Sequence, residues 1–358
     1  MKTEIVKGFK DYIGEEAIKR AEVKKIIEET FQKYGFEPAE TPIVEYEEFV
    51  KGENEKDEAI SDIFKLKDKG NRELALRYEF TFQLKRLMNN KKLPYKRYQI
   101  GPVFRDEPVS ANRFRQFIQC DIDTLGATTK DEAEILATIK EISEKLGIKI
   151  DIYVNNKKLL NEIFESIGIK DNTESIIREI DKLDKLPEKE VINNLKKYKA
   201  DKAVKILKNK EEFFKRFNSY KEIEELRKYC NYYGVKIIFQ PSLARGLSYY
   251  NGNVFEAKTK GMKETIVGGG AYLFNGVKGF GYGSGLDRWW LLSKIKDDKE
   301  KYLVVSLNQD KESIKLAQKL RNKDKSVVIY YGKPSKALEY ANSYYIKKVI
   351  FKTMKISS

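Results

Sequence analysis

The sequence predicts an α+β fold: strands and helices mixed in one core, a helical segment set into it, and a small α/β unit at the C-terminus. Three observations carry this. An apolar 3.6-residue period over 16–34 precedes strand-like segments. Residues 157–232 are helix formers with Glu and Lys throughout and Pro187 as their only proline, flanked by strand-rich sequence. Residues 299–358 alternate strand and helix patterns, as a parallel βαβαβ unit does.

Taken in order, Val23, Ile26, Ile27, Thr30, Phe31 and Tyr34 line one face of the first helix, and Gly35 stands at its C-cap. A strand over 36–44 follows, interrupted by Pro38 and Pro42, and proline confines such a strand to an edge or a bulge. A short strand at Leu74–Arg77 passes through an acidic turn into a helix reaching residue 90. Residues 96–126 read as two strands around a polar loop at 106–112. Thr129 and Glu132 make a capping box for a helix ending near Gly147, and 148–154 is a strand. Beyond the helical segment, residues 236–292 are strand-rich and glycine-rich and close with a helix at 285–295. Tail strands at 302–307, 327–331 and 346–351 are separated by helices at 311–323 and 334–342. The expected division is a core of 1–156 and 233–296, a helical insertion of 157–232, and a tail of 299–358 behind the charged linker 294–301.

Composition narrows the chemistry. The formal charge is +15, which fits a nucleic-acid partner contacted through phosphates or simply a lysine-rich proteome. The chain has 14 Arg against 56 Lys, so arginine marks positions where a planar bidentate fork is needed. There is no histidine, which excludes Ser-His-Asp and Cys-His catalysis and His-ligated zinc. Any acid, base or electrophile is a carboxylate, Lys, Arg, Tyr or a bound metal ion. Cys120 and Cys230 stand in no paired spacing and read as free thiols, Cys120 as a small core residue. No apolar run approaches the ~20 residues of a membrane span, and 1–8 lacks the apolar stretch of a signal peptide. A cytoplasmic protein with no membrane contact is expected.

Three segments carry candidate chemistry. In 113–123, period-two alternation puts Arg113, Arg115, Phe117, Gln119, Asp121 and Asp123 on one face. That face suits a ligand with phosphate at one end and a hydrogen-bonding group at the other; it equally suits the solvated side of a half-exposed strand. In 243–257, Arg245 lies beside Gly246, either to approach a ligand closely or as an ordinary strand-to-turn residue. In 265–288, Gly268–Gly270 and then Gly279, Gly281, Gly283 and Gly285 precede Arg288. Alternate glycines leave a flat floor for a planar base, or merely close a glycine-rich hairpin. Arg288 at the following helix would point at bound phosphate.

Together these segments resemble the histidyl-tRNA synthetase family over residues 8–295. GFKDY at 8–12 is similar to the family's opening, and the first helix with Thr41-Pro42 resembles class II motif one, which forms a dimer interface. FRDE at 104–107 with RFRQF at 113–117 resembles motif two, and GSGLDR at 283–288 motif three. RGLSYYNGNVFE at 245–256 is similar to the family's RGLDYYTGTVFE, and QCDID at 119–123 resembles the histidine-binding strand of its archaeal and eukaryotic branch. The resemblance implies the class II antiparallel sheet flanked by helices, a homodimer, and a histidine–tRNA ligase using L-histidine, ATP with Mg²⁺, and histidine tRNA. It implies that Arg105 binds the ATP α-phosphate and the histidine carboxylate, and that Glu107 meets the adenine with Phe117 stacked on it. Arg113 and Arg288 would hold the γ-phosphate, and Glu79 and Thr81 the α-amino group. Gln119, Asp123 and Tyr250 would read the histidine, with Tyr249 and Tyr272 in the same pocket, and Arg245 would be the catalytic arginine.

Three departures stand out, the tail the largest. Ser248 replaces the usual Asp, and the family's GGRYD reads GGAYL at 269–273. The tail is shorter than the family's anticodon-binding domain. The alternative reading is a non-catalytic paralogue such as the regulatory subunit of ATP phosphoribosyltransferase.

Overall fold

A computed structural model describes residues 2–52, 58–110, 113–245, 249–295 and 300–353. The first helix, Gly14–Lys33, buries Val23, Ile27 and Phe31 completely. It stops before Gly35, whose φ of 76° is the left-handed conformation that glycine adopts most readily.

The strands, in chain order, are β1 (Glu37–Pro38), β2 (Val44–Tyr46), β3 (Lys65–Lys67), β4 (Glu73–Leu76), β5 (Tyr95–Phe104), β6 (Gln116–Leu125) and β7 (Asp151–Asn156). They continue with β8 (Ile237–Phe239), β9 (Tyr250–Thr259), β10 (Met262–Phe274), β11 (Val277–Gly285), β12 (Lys301–Ser306), β13 (Ser326–Tyr331) and β14 (Lys348–Lys352). Eight of them form one sheet in the order β1-β5-β6-β11-β10-β9-β7-β8. Its interior pairings are antiparallel, and only the edge pairs β1–β5 and β7–β8 are parallel. The strand expected over 36–44 is divided. Pro38 and Pro42 lack the N–H a ladder needs, so two residues pair at the sheet edge, and β2 joins a separate sheet of order β2-β4-β3.

Other boundaries moved for local reasons. The capping box is one residue earlier than expected: the Thr128 N–H and hydroxyl both donate to Asp131 Oδ2, at 2.8 and 2.6 Å, before the helix Thr129–Lys145. Glu132, expected in that box, is fully buried and takes hydrogen bonds from Asn253 and Lys278 at 2.7 and 2.6 Å. The helix expected up to residue 90 is the short Leu84–Leu87. β7 begins at Asp151 rather than 148, because the Ile148 N–H still closes the preceding helix on the Ser143 carbonyl.

Residues 157–232 are helical as expected, from Lys157–Ser166 to Tyr220–Tyr232, with a 3₁₀ turn at Asp181–Asp184. Asn156 caps the first of these by accepting the Lys158 N–H at 2.9 Å. Phe164, Ile176, Ile180, Leu195 and Tyr220 are among its fully buried side chains. In the tail, β13-β12-β14 is wholly parallel, with helices Asp310–Arg321 and Pro334–Ser343 as the crossovers: the predicted βαβαβ. Leu303, Val305, Ala337, Ala341 and Ile346 form its core. The chain divides into two compact units, residues 1–11 with 20–294, and residues 12–19 with 295–358. Among the described residues no helix is long and apolar enough to cross a membrane.

Candidate active site

At the centre of the large sheet, glycines of β10 and β11 stand beside charged and polar side chains of their neighbours. Across it, Arg97, Asp123, Gly281 and Gly270 lie in one register row, and Gln99, Asp121, Gly283, Gly268 and Glu256 in the next. Because β10 and β11 bring glycines to both rows, side chains from β6 and from the chain before β9 lean into the space. A Cβ at Gly281 would lie 2.2 Å from Asp123 Oδ1, and one at Gly268 2.2 Å from an Arg245 guanidinium nitrogen. A Cβ at Gly279 would lie 2.3 Å from the Tyr272 ring. The expected glycine floor is therefore partly a set of recesses for Tyr272, Asp123 and Arg245. Gly285 alone of the four has nothing within 4 Å of its Cβ position and remains open.

A cavity of about 230 Å³ opens over these rows. Every candidate residue lines it: Glu79, Thr81, Arg105, Glu107, Arg113, Phe117, Gln119, Asp123, Arg245, Tyr249, Tyr250, Tyr272 and Arg288. One end is cationic. Arg105 lies 5.2 Å over the Phe117 ring and donates from Nε to the Tyr78 carbonyl at 3.1 Å. Arg113 pairs with Glu107 at 3.0 Å, Arg245 with Glu256 at 2.7 Å, and Arg288 donates to the Thr265 carbonyl. Burial lowers the Arg288 pKa, and repulsion from Arg113, Arg105 and Arg245 lowers it further against the attraction of Glu264. Three other guanidiniums thus act on Arg288, an arrangement that a polyanion relieves.

The other end is acidic and aromatic. Asp123 Oδ1 accepts the Tyr272 hydroxyl at 2.6 Å, and Oδ2 is 2.7 Å from Arg97. Burial pushes Asp123 up to about 6, with Arg97 and then Tyr272 holding it down. Tyr249 and Tyr250 stack obliquely at 4.7 Å beside it.

Not all of the alternating face reached the cavity. Arg115 does not line it; β6 begins only at Gln116, so the alternation does not extend to Arg115. Its side chain turns to the Glu107 carbonyl at 3.2 Å and Asp106 at 3.0 Å, and Phe114 lines the wall instead. Gly246 and Ser248 lie outside the described residues. Ala271, where the family has Arg, is fully buried in the core and does not line the cavity, and Leu273, where it has Asp, is half exposed. Sequence reasoning missed Arg97, wholly buried beneath Asp123, and Glu256, which holds Arg245. The signal for Arg97 was weak: one arginine between Lys96 and Gln99 in a strand of a lysine-rich chain.

Comparison with known proteins agrees with this geometry. The family model described as histidyl-tRNA synthetase matches residues 8–286. A histidine–tRNA ligase of Bacillus cereus is 34% identical, over 96% of this chain and 91% of the relative. A crystal structure of histidyl-tRNA synthetase from Nostoc superposes with a TM-score of 0.84 at 25% identity, covering 97% of this chain and 90% of that one. A structure from Bacillus halodurans titled as an ATP phosphoribosyltransferase regulatory subunit/histidyl-tRNA synthetase superposes with a TM-score of 0.81, over 99% of both chains. At 19% identity it speaks for the fold alone. With its family motifs gathered around one cavity and its relatives matching nearly end to end, the chain belongs to the histidyl-tRNA synthetase family.

Proposed function

We propose that this protein is a histidine–tRNA ligase: it activates L-histidine with ATP and transfers the aminoacyl group to the 3′ end of histidine tRNA. The observation that carries this is one cavity with four arginines at one end and a buried carboxylate with tyrosines at the other. A nucleoside triphosphate fits the first and an imidazole the second.

In activation the histidine carboxylate attacks the α-phosphorus and pyrophosphate leaves. Negative charge grows on the phosphoryl oxygens, so positioning and fixed positive charge supply the acceleration. Arg105 and Arg245 are suited to the α-phosphate and Arg113 and Arg288 to the γ-phosphate, each with a charge that does not titrate in the physiological range. Phe117 offers the adenine a face to stack on, with Glu107 at its edge. Glu79 and Thr81 are suited to the α-amino group, and Gln119, Asp123, Tyr249, Tyr250 and Tyr272 to the rest of the amino acid. A buried imidazole N–H without an acceptor is costly, so Asp123 discriminates against analogues that lack it. Of the acids beside the arginines, Glu107 is engaged by Arg113, Glu256 by Arg245 and Asp287 by Arg20. Mg²⁺ therefore enters with ATP, as part of that substrate. No protein nucleophile or general base is needed, so a chain without histidine loses nothing.

The wider reading is a homodimer formed through the first helix and the Thr41-Pro42 segment, with residues 157–232 on the acceptor stem and the tail as a reduced anticodon domain. The deciding experiment is histidine-dependent ATP–pyrophosphate exchange. Wild type is expected to exchange and Arg245→Ala to lose about 10²-fold or more. Silence of the wild type would favour the non-catalytic paralogue.

A further inference from the structure

Besides Glu79, the acidic end of the cavity holds two carboxyls on β6, and the reading above uses one of that pair. Asp121 and Asp123 are two residues apart on β6 and share its cavity face. Both are buried, at 2% and 3% exposure. Their partners differ. Asp123 receives a guanidinium and a phenol, Arg97 at 2.7 Å and Tyr272 at 2.6 Å. Asp121 receives only a neutral amide, Gln119 Nε2 to its Oδ2 at 2.8 Å. Asp121 Oδ1 is buried with no hydrogen-bond partner. Register explains the difference. Arg97 stands directly opposite Asp123, whereas Asp121 has uncharged Gln99 on one side and Gly283 on the other. One guanidinium thus serves two carboxyls, and two such groups in a dry site do not both ionise cheaply.

A neutral imidazole presents one N–H and one bare nitrogen, so its full recognition needs one acceptor and one donor. We propose that Asp121 is a further specificity-determining residue: a neutral carboxyl whose O–H donates to the bare imidazole nitrogen, while ionised Asp123 accepts the N–H of the other. Residues i and i+2 of a strand lie roughly 6.7 Å apart, within about 1 Å of the roughly 7.5 Å between two oxygens hydrogen-bonded to the two imidazole nitrogens. Arg97 is the positioning residue that decides which carboxyl is the anion.

The surrounding charges agree. Burial raises Asp121 well above the usual carboxylate range, Asp123 and Glu79 add to this, and Arg97 and Gln119 oppose it. Asp123, faced by Arg97 from β5, Tyr272 from β10 and Tyr250 from β9, is raised only to about 6. Both carboxyls are thus pushed toward the protonated form, and the nearer guanidinium and phenol favour the anion at Asp123 over Asp121.

The inference rests on the cavity being a histidine site, and asparagine substitutions separate the two. Asp121→Asn keeps a neutral donor, so its loss in kcat/KM for histidine in pyrophosphate exchange is expected to be at least about tenfold smaller than that of Asp123→Asn. Asp123→Asn removes the anion and is expected to lose about 100-fold or more. Asp121→Ala, which removes the donor, is expected to lose about 10–100-fold in kcat/KM for histidine. The KM for ATP and the thermal midpoint report that each variant is folded. Equal losses for Asp121→Asn and Asp123→Asn in folded enzymes would overturn the proposal, as would full activity of Asp121→Ala. A wild type without histidine-dependent exchange would fail the reading of the site and the inference with it. An active wild type with equal asparagine losses would fail the inference alone.

Discussion

An alanine at Gly268 asks whether Arg245 must sit where it does. A Cβ there would lie 2.2 Å from one guanidinium nitrogen of Arg245, 2.6 Å from its Cζ and 2.8 Å from the other nitrogen. Non-bonded carbon and nitrogen settle at roughly 3.5 Å, so the guanidinium must withdraw by about 1 Å. The φ of Gly268 is not in the left-handed region, so alanine meets no backbone penalty there. The obstacle is the tip of a flexible side chain, and the side chain moves rather than the sheet. Stability loses the Arg245–Glu256 pair, whose groups are 22% and 12% exposed, a loss of about 1–2 kcal/mol. Catalysis loses more. Misplacing a stabilising charge by about 1 Å costs on the order of 10²-fold, or about 2.7 kcal/mol of the barrier. Histidine-dependent pyrophosphate exchange should therefore fall about 100-fold in Gly268→Ala while the melting midpoint moves by only a few degrees, roughly. Exchange within threefold of wild type in a folded variant would refute the assignment of Arg245 to the reacting phosphate.

Two further outcomes follow from the same geometry. Asp123 has its pKa raised to about 6, so it is the required anion above that pH and loses its charge as pH falls through it. Free histidine gains its second imidazole proton near 6.5, so kcat/KM for histidine should fall below about pH 6.5 with a slope steeper than one proton; a flat profile from pH 8 to 5 would count against Asp123. The tail supplies one three-stranded unit, and a histidine tRNA with a changed anticodon should lose less than about tenfold in aminoacylation, or about 1.4 kcal/mol; a larger loss would show that the tail reads the anticodon.

The local code was legible in the sequence. Period two along 117–123 put Phe117, Gln119, Asp121 and Asp123 on one face because a strand alternates whatever it packs against. Prolines at 38 and 42 forecast an edge for the same kind of reason, a missing donor. The alternation of the tail gave its parallel topology outright. What tertiary structure decided was pairing across distance. Nothing near residue 97 indicates that its guanidinium will face a carboxylate at 123, or that the phenol of residue 272 will cap the same group. The alternation failed at Arg115 because the strand starts one residue later, a matter of where the ladder with β5 ends. The proton balance between Asp121 and Asp123 depends on register, which sets one opposite Arg97 and the other opposite Gln99. A sequence states which groups a strand carries; only the neighbouring strand's register states which of them is paid a counter-charge.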